Sequence, residues 1–213
     1  MHIPDGFIAP QVYLPAYAIA AGAWIWAGHD LRQRLNEQTI PRLAVLTALA
    51  YTLGLVMIPL PGGTSGHAVG VAMLALLFGV RTAFLAYSMV LLLQALMFGA
   101  GGITALPINA LAIGLVGGVC AQVGYRLLRF WRADAGVVFG TILSVLIPAL
   151  IIGLVLGAQP LLAHREDGTP LFFPFGWEVT LPALLLPHLL VAVGEAVLTL
   201  MIWRYANSRG WIS

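Results

Sequence analysis

The sequence opens Met1, His2, Ile3, Pro4, Asp5, Gly6, Phe7, a polar stretch containing a turn that ends just before the first apolar run. A histidine at position 2 offers a metal ion three nitrogens in a row: the amine of Met1, the backbone nitrogen of His2 and the Nδ1 of its own imidazole. The chelate rings are five- and six-membered, both favourable. A deprotonated amide nitrogen holds the set nearly planar, which suits Ni(II) and Cu(II) and leaves one in-plane position open. The large residue after Met1 is expected to block removal of the initiator methionine, so the amine belongs to Met1 itself. The competing reading of such a terminus is a disordered chain end.

A second histidine follows the glycine-rich turn Pro61, Gly62, Gly63, Thr64, Ser65, Gly66 and is delivered as His67 to the start of a short apolar segment. A short, Gly-interrupted membrane segment is a sequence pointer to a transporter site. His67 could supply the fourth in-plane nitrogen, or it could make one interhelical hydrogen bond, the common role of a lone histidine between membrane helices.

The elements that must position these groups are membrane helices. Of 213 residues, 61% are apolar and 8% charged, and a mean hydropathy of +0.96 excludes a water-soluble domain. The apolar runs are Val12 to Ala27, Leu43 to Leu60, His67 to Gly79, Thr82 to Phe98, Ile103 to Leu128, Val137 to Leu156 and Thr180 to Trp203. They predict an all-α bundle of about seven transmembrane helices forming one domain over residues 1–213, with the third segment short. With the N-terminus outside and the short segment counted as a crossing, nine of the ten arginines fall on the cytoplasmic side and Arg165 alone outside. The expected location is therefore the plasma membrane, multi-pass, with a cytoplasmic C-terminus.

Other features narrow the function. The arginines lie at the ends of apolar runs and report topology rather than nucleic-acid binding. No lysine is present, so the Walker A phosphate loop is excluded and any ATP that drives the system binds elsewhere. Cys120 is the single cysteine, which rules out an intramolecular disulfide or a thiolate cluster within one chain. No basic residue precedes the first apolar run, so cleavage as a signal peptide is not expected. Ala110, Gly114 and Gly118 recur four apart, a surface for close helix approach either inside the chain or against a partner. The loop from Gly157 to Val179, with Phe172, Phe173, Phe175 and Trp177, either caps an external mouth or forms an interfacial aromatic belt.

MHIPDGF at the extreme N-terminus, with GGTSGH some sixty residues later, resembles the NikM/CbiM substrate-capture subunits of energy-coupling-factor transporters. The resemblance covers the whole chain. It implies a seven-helix fold with the N-terminal segment plugged into the bundle, and Ni(II) or Co(II) as transported substrate rather than a resident cofactor. It implies metal ligation by Met1 through its amine, His2 through backbone and imidazole nitrogens, and His67 through its imidazole. It also implies partners: a transmembrane coupling (T) subunit, a pair of ATP-binding-cassette ATPases and a small auxiliary membrane subunit. Thr64, Ser65, Asn109 and Asp5 are candidates to accept the second N–H of a ligating imidazole, with Asn109 preferred; the alternative for Asn109 is an interhelical hydrogen bond.

Two other classes fit parts of the sequence. Gly63, Thr64, Ser65, Gly66 matches the G-x-S-G of rhomboid intramembrane proteases with His188 as base, but no His and Asn four apart precede Ser65 on an earlier helix. His188 and Glu195 could relay protons in a self-sufficient ion-coupled transporter. They lie seven apart, about 10 Å along a helix, too far to bond each other, and packing against a neighbouring helix is the preferred reading.

Overall fold

The computed structural model describes residues 2–29, 31–60 and 64–211. The chain forms α1 (Pro10–Gly28), α2 (Leu31–Arg34), α3 (Thr39–Leu55), β1 (Ile58–Leu60), β2 (Thr64–Gly66), α4 (Val71–Phe78) and α5 (Val80–Phe98). It continues with α6 (Leu106–Asn109), a π-helical stretch (Ala110–Val116), α7 (Gly117–Leu128), α8 (Ala133–Gly157), α9 (Gln159–Leu162) and α10 (Trp177–Ser208). Because α6, the π stretch and α7 run on as one helix over Leu106–Leu128, seven helices of eight residues or more stand among the described residues. Four are long and apolar enough to cross a membrane: Val80–Phe98, Leu106–Leu128, Ala133–Leu162 and Trp177–Ser208. Thr39–Leu55 is a shorter apolar helix, and α1 is diluted by paired prolines, tyrosines and tryptophans. The chain is a multi-pass membrane protein built as an all-α bundle.

The third apolar segment departs from expectation. It is not a helix starting at His67: residues 64–66 pair with 58–60 as an antiparallel hairpin, 67–70 are extended or turning, and helix begins only at Val71. The eight residues of α4 rise about 12 Å, well short of a bilayer. Gly70 explains the late start, because its φ of +77° is a backbone conformation L side chains avoid and a Cβ there would stand 2.8 Å from the Ala50 Cβ. Val71, Ala72, Met73, Leu74 and Ala75 are all buried, so α4 is a central prop packed on α5 and α7. The apolar run ending at Leu60 likewise gives up its last residues to β1.

The small-residue stripe packs internally: a Cβ on Gly114 would come 3.1 Å from Phe84 of α5, and one on Gly118 would come 3.6 Å from Ala75 of α4. These close approaches draw the 106–128 helix onto the two helices that follow the hairpin. The π turns begin directly after Asn109, a helix irregularity of the kind that often marks a functional position.

Candidate metal-capture site

The N-terminal segment lies in the bundle as a tethered strap. Ile3 and Ile8 are 0% and 1% exposed and join the principal apolar core beside Val69, Phe84, Tyr87 and Ile108. Backbone groups taken out of water need partners, and polar side chains supply them at Ile3 and Ala9. The Ile3 N–H donates to Asn109 Oδ1 at 3.0 Å and Asn109 Nδ2 donates to the Ile3 carbonyl at 3.1 Å, so one primary amide serves both sides of a peptide unit. The Ala9 N–H donates to Gln159 Oε1 at 2.9 Å, while Gln159 Nε2 donates to the Val155 carbonyl.

Asp5 is the third tether. Its carboxylate accepts from the Ile103 N–H at 3.1 Å and from the Thr104 N–H and hydroxyl at 2.8 and 2.5 Å. Burial pushes the Asp5 carboxyl up, but the Thr104 and Ile103 bonds outweigh it and leave the group below its ordinary value. The strap lies so close to this turn that a Cβ on Gly102 would stand 2.4 Å from Asp5 N and Oδ1. Phe7 packs on Phe173 with ring centroids 5.5 Å apart, and the Phe173 N–H donates to the Phe7 carbonyl at 3.4 Å. The aromatic loop therefore covers the strap through Phe173, while Phe175 and Trp177 stay well exposed.

These tethers carry His2 to His67. Their ring centroids are 4.5 Å apart at an interplanar angle of 58°. His67 is buried at 3% exposure, and its Nδ1 lies 3.0 Å from the Ala68 carbonyl. A carbonyl only accepts, so Nδ1 carries the proton and Nε2 keeps its lone pair. His2 Nε2 lies 3.2 Å from the Tyr87 hydroxyl, and with this ring N–H donating to Oη, the His2 Nδ1 lone pair is free for its own chelate ring. Two neutral imidazoles each held through one nitrogen and offering the other form a donor set for a borderline divalent metal.

The other sequence candidates fall as follows. Asn109 bonds the Ile3 backbone rather than an imidazole; the imidazoles take Tyr87 and the Ala68 carbonyl instead. Asp5 serves the 103–104 turn. Met1 and the side chains of Thr64 and Ser65 lie outside the described residues. No group of three His, Cys, Asp or Glu side chains with metal-ligand spacing exists among the described residues. His188, fully buried, donates Nδ1–H to the Leu184 carbonyl one turn back at 2.6 Å, and its Nε2 has no partner among the described residues. Tyr87, Gln159 and Thr104 carry no motif that marks them in the sequence; Tyr87 is a phenol in the middle of an apolar run, a pattern that core aromatics share.

Comparison with known proteins bears on the family and the fold. Residues 2–211 match the family described as "Cobalt uptake substrate-specific transmembrane region". The chain is 38% identical to a probable fused nickel transport protein, LarMN, of Lactiplantibacillus plantarum, over 97% of this chain and 64% of that protein. It is 34% identical to the fused nickel transport protein NikMN of Rhodobacter capsulatus, over 95% of this chain and 61% of that protein. It thus spans less than two thirds of the length of these two relatives. A solved structure described as a truncated transition metal transporter superposes with a TM-score of 0.93 at 32% identity, covering 98% of this chain and 99% of that one. A bundle of this shape, with a strapped N-terminus and matched from residue 2 to residue 211, belongs to the CbiM/NikM family of substrate-specific transmembrane proteins.

Proposed function

We propose that this chain is the metal-capturing subunit of a nickel or cobalt uptake system. It takes Ni(II) or Co(II) as substrate into a four-nitrogen plane made by the Met1 amine, the His2 backbone nitrogen, His2 Nδ1 and His67 Nε2. The observation that carries this reading is the 4.5 Å approach of the His2 and His67 rings across 65 residues of sequence, at the end of a strap held by three polar tethers. Nickel is favoured over cobalt because Ni(II) more readily displaces an amide proton and accepts a square plane.

The division of labour follows from chemistry. Met1 and His2 form the chelate, and His67 closes it from the stretch that follows the hairpin. Tyr87 orients the His2 ring, while Asn109, Asp5 and Gln159 hold the strap in register. Phe173 covers the strap. Energy comes from elsewhere: the chain lacks lysine and so lacks a Walker A loop. Those partners are a transmembrane coupling subunit, ABC-type ATPases and a small auxiliary membrane subunit, with the N-terminus outside and the C-terminus cytoplasmic.

Metal titration of the purified chain, His2→Ala and His67→Ala tests the reading. The wild-type chain binds one Ni(II) and hydrolyses no ATP; His2→Ala loses a chelate ring, His67→Ala loses the closing ligand, and both lose tight binding. Retention of wild-type affinity in either variant contradicts the proposed cage.

A further inference from the structure

His67 occupies a stretch of backbone held by two anchors. On one side the strand pairing of Gly66 with Ile58 ends the hairpin directly before it. On the other side, three residues on, α4 begins behind Gly70, which serves as its N-cap but has no side chain with which to cap. A helix start leaves N–H groups without intrahelical partners, and those of Val69 and Gly70 point into a buried region where water cannot serve them. Glu195, far along the chain in α10, reaches across and takes both: Oε2 accepts from the Val69 N–H at 2.8 Å and Oε1 from the Gly70 N–H at 2.8 Å. The side chain is 2% exposed.

A carboxylate held away from water is expensive unless its oxygens are bonded, and two charge-assisted N–H bonds to consecutive residues both satisfy it and fix the peptide plane between them. The grip leaves little slack. Gly70 sits at a φ of +77° with no room for a Cβ beside Ala50, and the Leu74 N–H donates to the Gly70 carbonyl at 3.2 Å, so the turn bonded by Glu195 is continuous with α4. His67 lies two residues before Val69, and its own Nδ1 bonds the carbonyl of Ala68, the residue between. Displacement at Val69 therefore reaches the imidazole through a single residue whose carbonyl also sets the ring.

We infer that Glu195 is the positioning residue for His67: from α10 it clamps the Val69 and Gly70 amides and so holds the closing imidazole in register with the strap. This rests on the ligand role of His67 proposed above. Glu195 touches no metal in this account; it acts through the backbone. It also ties α10 mechanically to the capture site, because any shift of α10 past the hairpin breaks the clamp.

The test is a double-mutant cycle on the full chain, with Ni(II) affinity and the visible absorption of bound Ni(II) as readouts for wild type, E195A, E195Q, H67A and E195A/H67A. Retained helical content and a single detergent-solubilised species are required of each variant. E195A is expected to weaken Ni(II) binding by about 10- to 100-fold, the usual effect of removing a group that orients a ligand. Its bound-nickel spectrum moves toward that of H67A, as the fourth nitrogen is lost from the plane. E195Q keeps one acceptor oxygen, replaces the other with an amide that cannot accept, and falls between the two. The E195A/H67A protein binds no more weakly than H67A alone, because there is no longer a ligand to position. Wild-type affinity and spectrum in E195A, alongside a collapse in H67A, overturn the clamp while leaving the cage intact. Losses that add in full in the double variant also overturn it, since they mark a structural effect independent of His67. Unchanged binding in H67A removes the ligand reading, and the clamp's role with it.

Discussion

Replacing Asn109 with alanine removes both bonds that hold Ile3, and the structure allows the size of the effect to be worked out. Asn109 is 1% exposed and Ile3 0% exposed, so the Ile3 N–H and carbonyl are left without partners in a dry site. Each orphaned backbone group costs about 1–3 kcal/mol, and partial relaxation favours the lower half of the sum, about 2–4 kcal/mol against the docked strap. At tenfold per 1.4 kcal/mol, the docking equilibrium falls by about 30- to 700-fold. Metal affinity falls by whatever part of this carries the docked state below full population, since only the docked strap presents His2 to His67. Amide hydrogen exchange at Ile3, followed by mass spectrometry on detergent-solubilised chain without metal, reads the docking term directly. N109A accelerates exchange there by one to three orders of magnitude while amides in the middle of α8 keep their protection. Unchanged exchange at Ile3 refutes the claim that Asn109 holds the strap.

Two other expectations follow from the strap and its neighbours. The Asp5 carboxyl titrates below its ordinary value in the folded chain, so its contribution is complete above the unfolded value of about 4 and disappears as pH falls through the folded one. Thermal unfolding of wild type and D5N is thus expected to differ above about pH 5 and to converge in more acidic buffer; a gap independent of pH counts against the carboxylate role. Y87F deletes the hydroxyl beside His2 Nε2 and leaves the ring, so nickel affinity drops by about tenfold or more with little change in melting temperature. Equal affinity in Y87F shows that the His2 ring is oriented by its chelate alone.

What was legible in the sequence has a physical pattern. His2 stands out in the sequence because the chemistry proposed for it is local: such a chelate is defined by covalent position, and no tertiary contact is needed to propose it. The helical bundle was legible because apolar runs must be long to cross a bilayer. His67 was legible as a candidate through the glycine turn before it, but its place on the fold was not. Its helix starts later because of Gly70 and Ala50, and the bond that stabilises this arrangement comes from Glu195, a partner 126 residues from Val69. Asn109 is legible as a polar residue in a membrane helix, but its partner is not, because an asparagine amide matches a peptide unit as well as it matches an imidazole. Tyr87 is not legible, since aromatic residues in apolar helices are commonly core and nothing local marks the hydroxyl as used. The π turns after Asn109 have no sequence signature of their own.

The most direct test of the account is Ni(II) binding by two versions of the full chain, one whose first residue is Met1 and one carrying a single additional glycine before it. The added residue leaves every side chain in place and moves only the terminal amine, so the chelate of amine, amide and imidazole falls out of register. Tight binding of one Ni(II) is expected of the first protein and loss of that binding of the second. Equally tight binding by the extended chain contradicts the four-nitrogen cage.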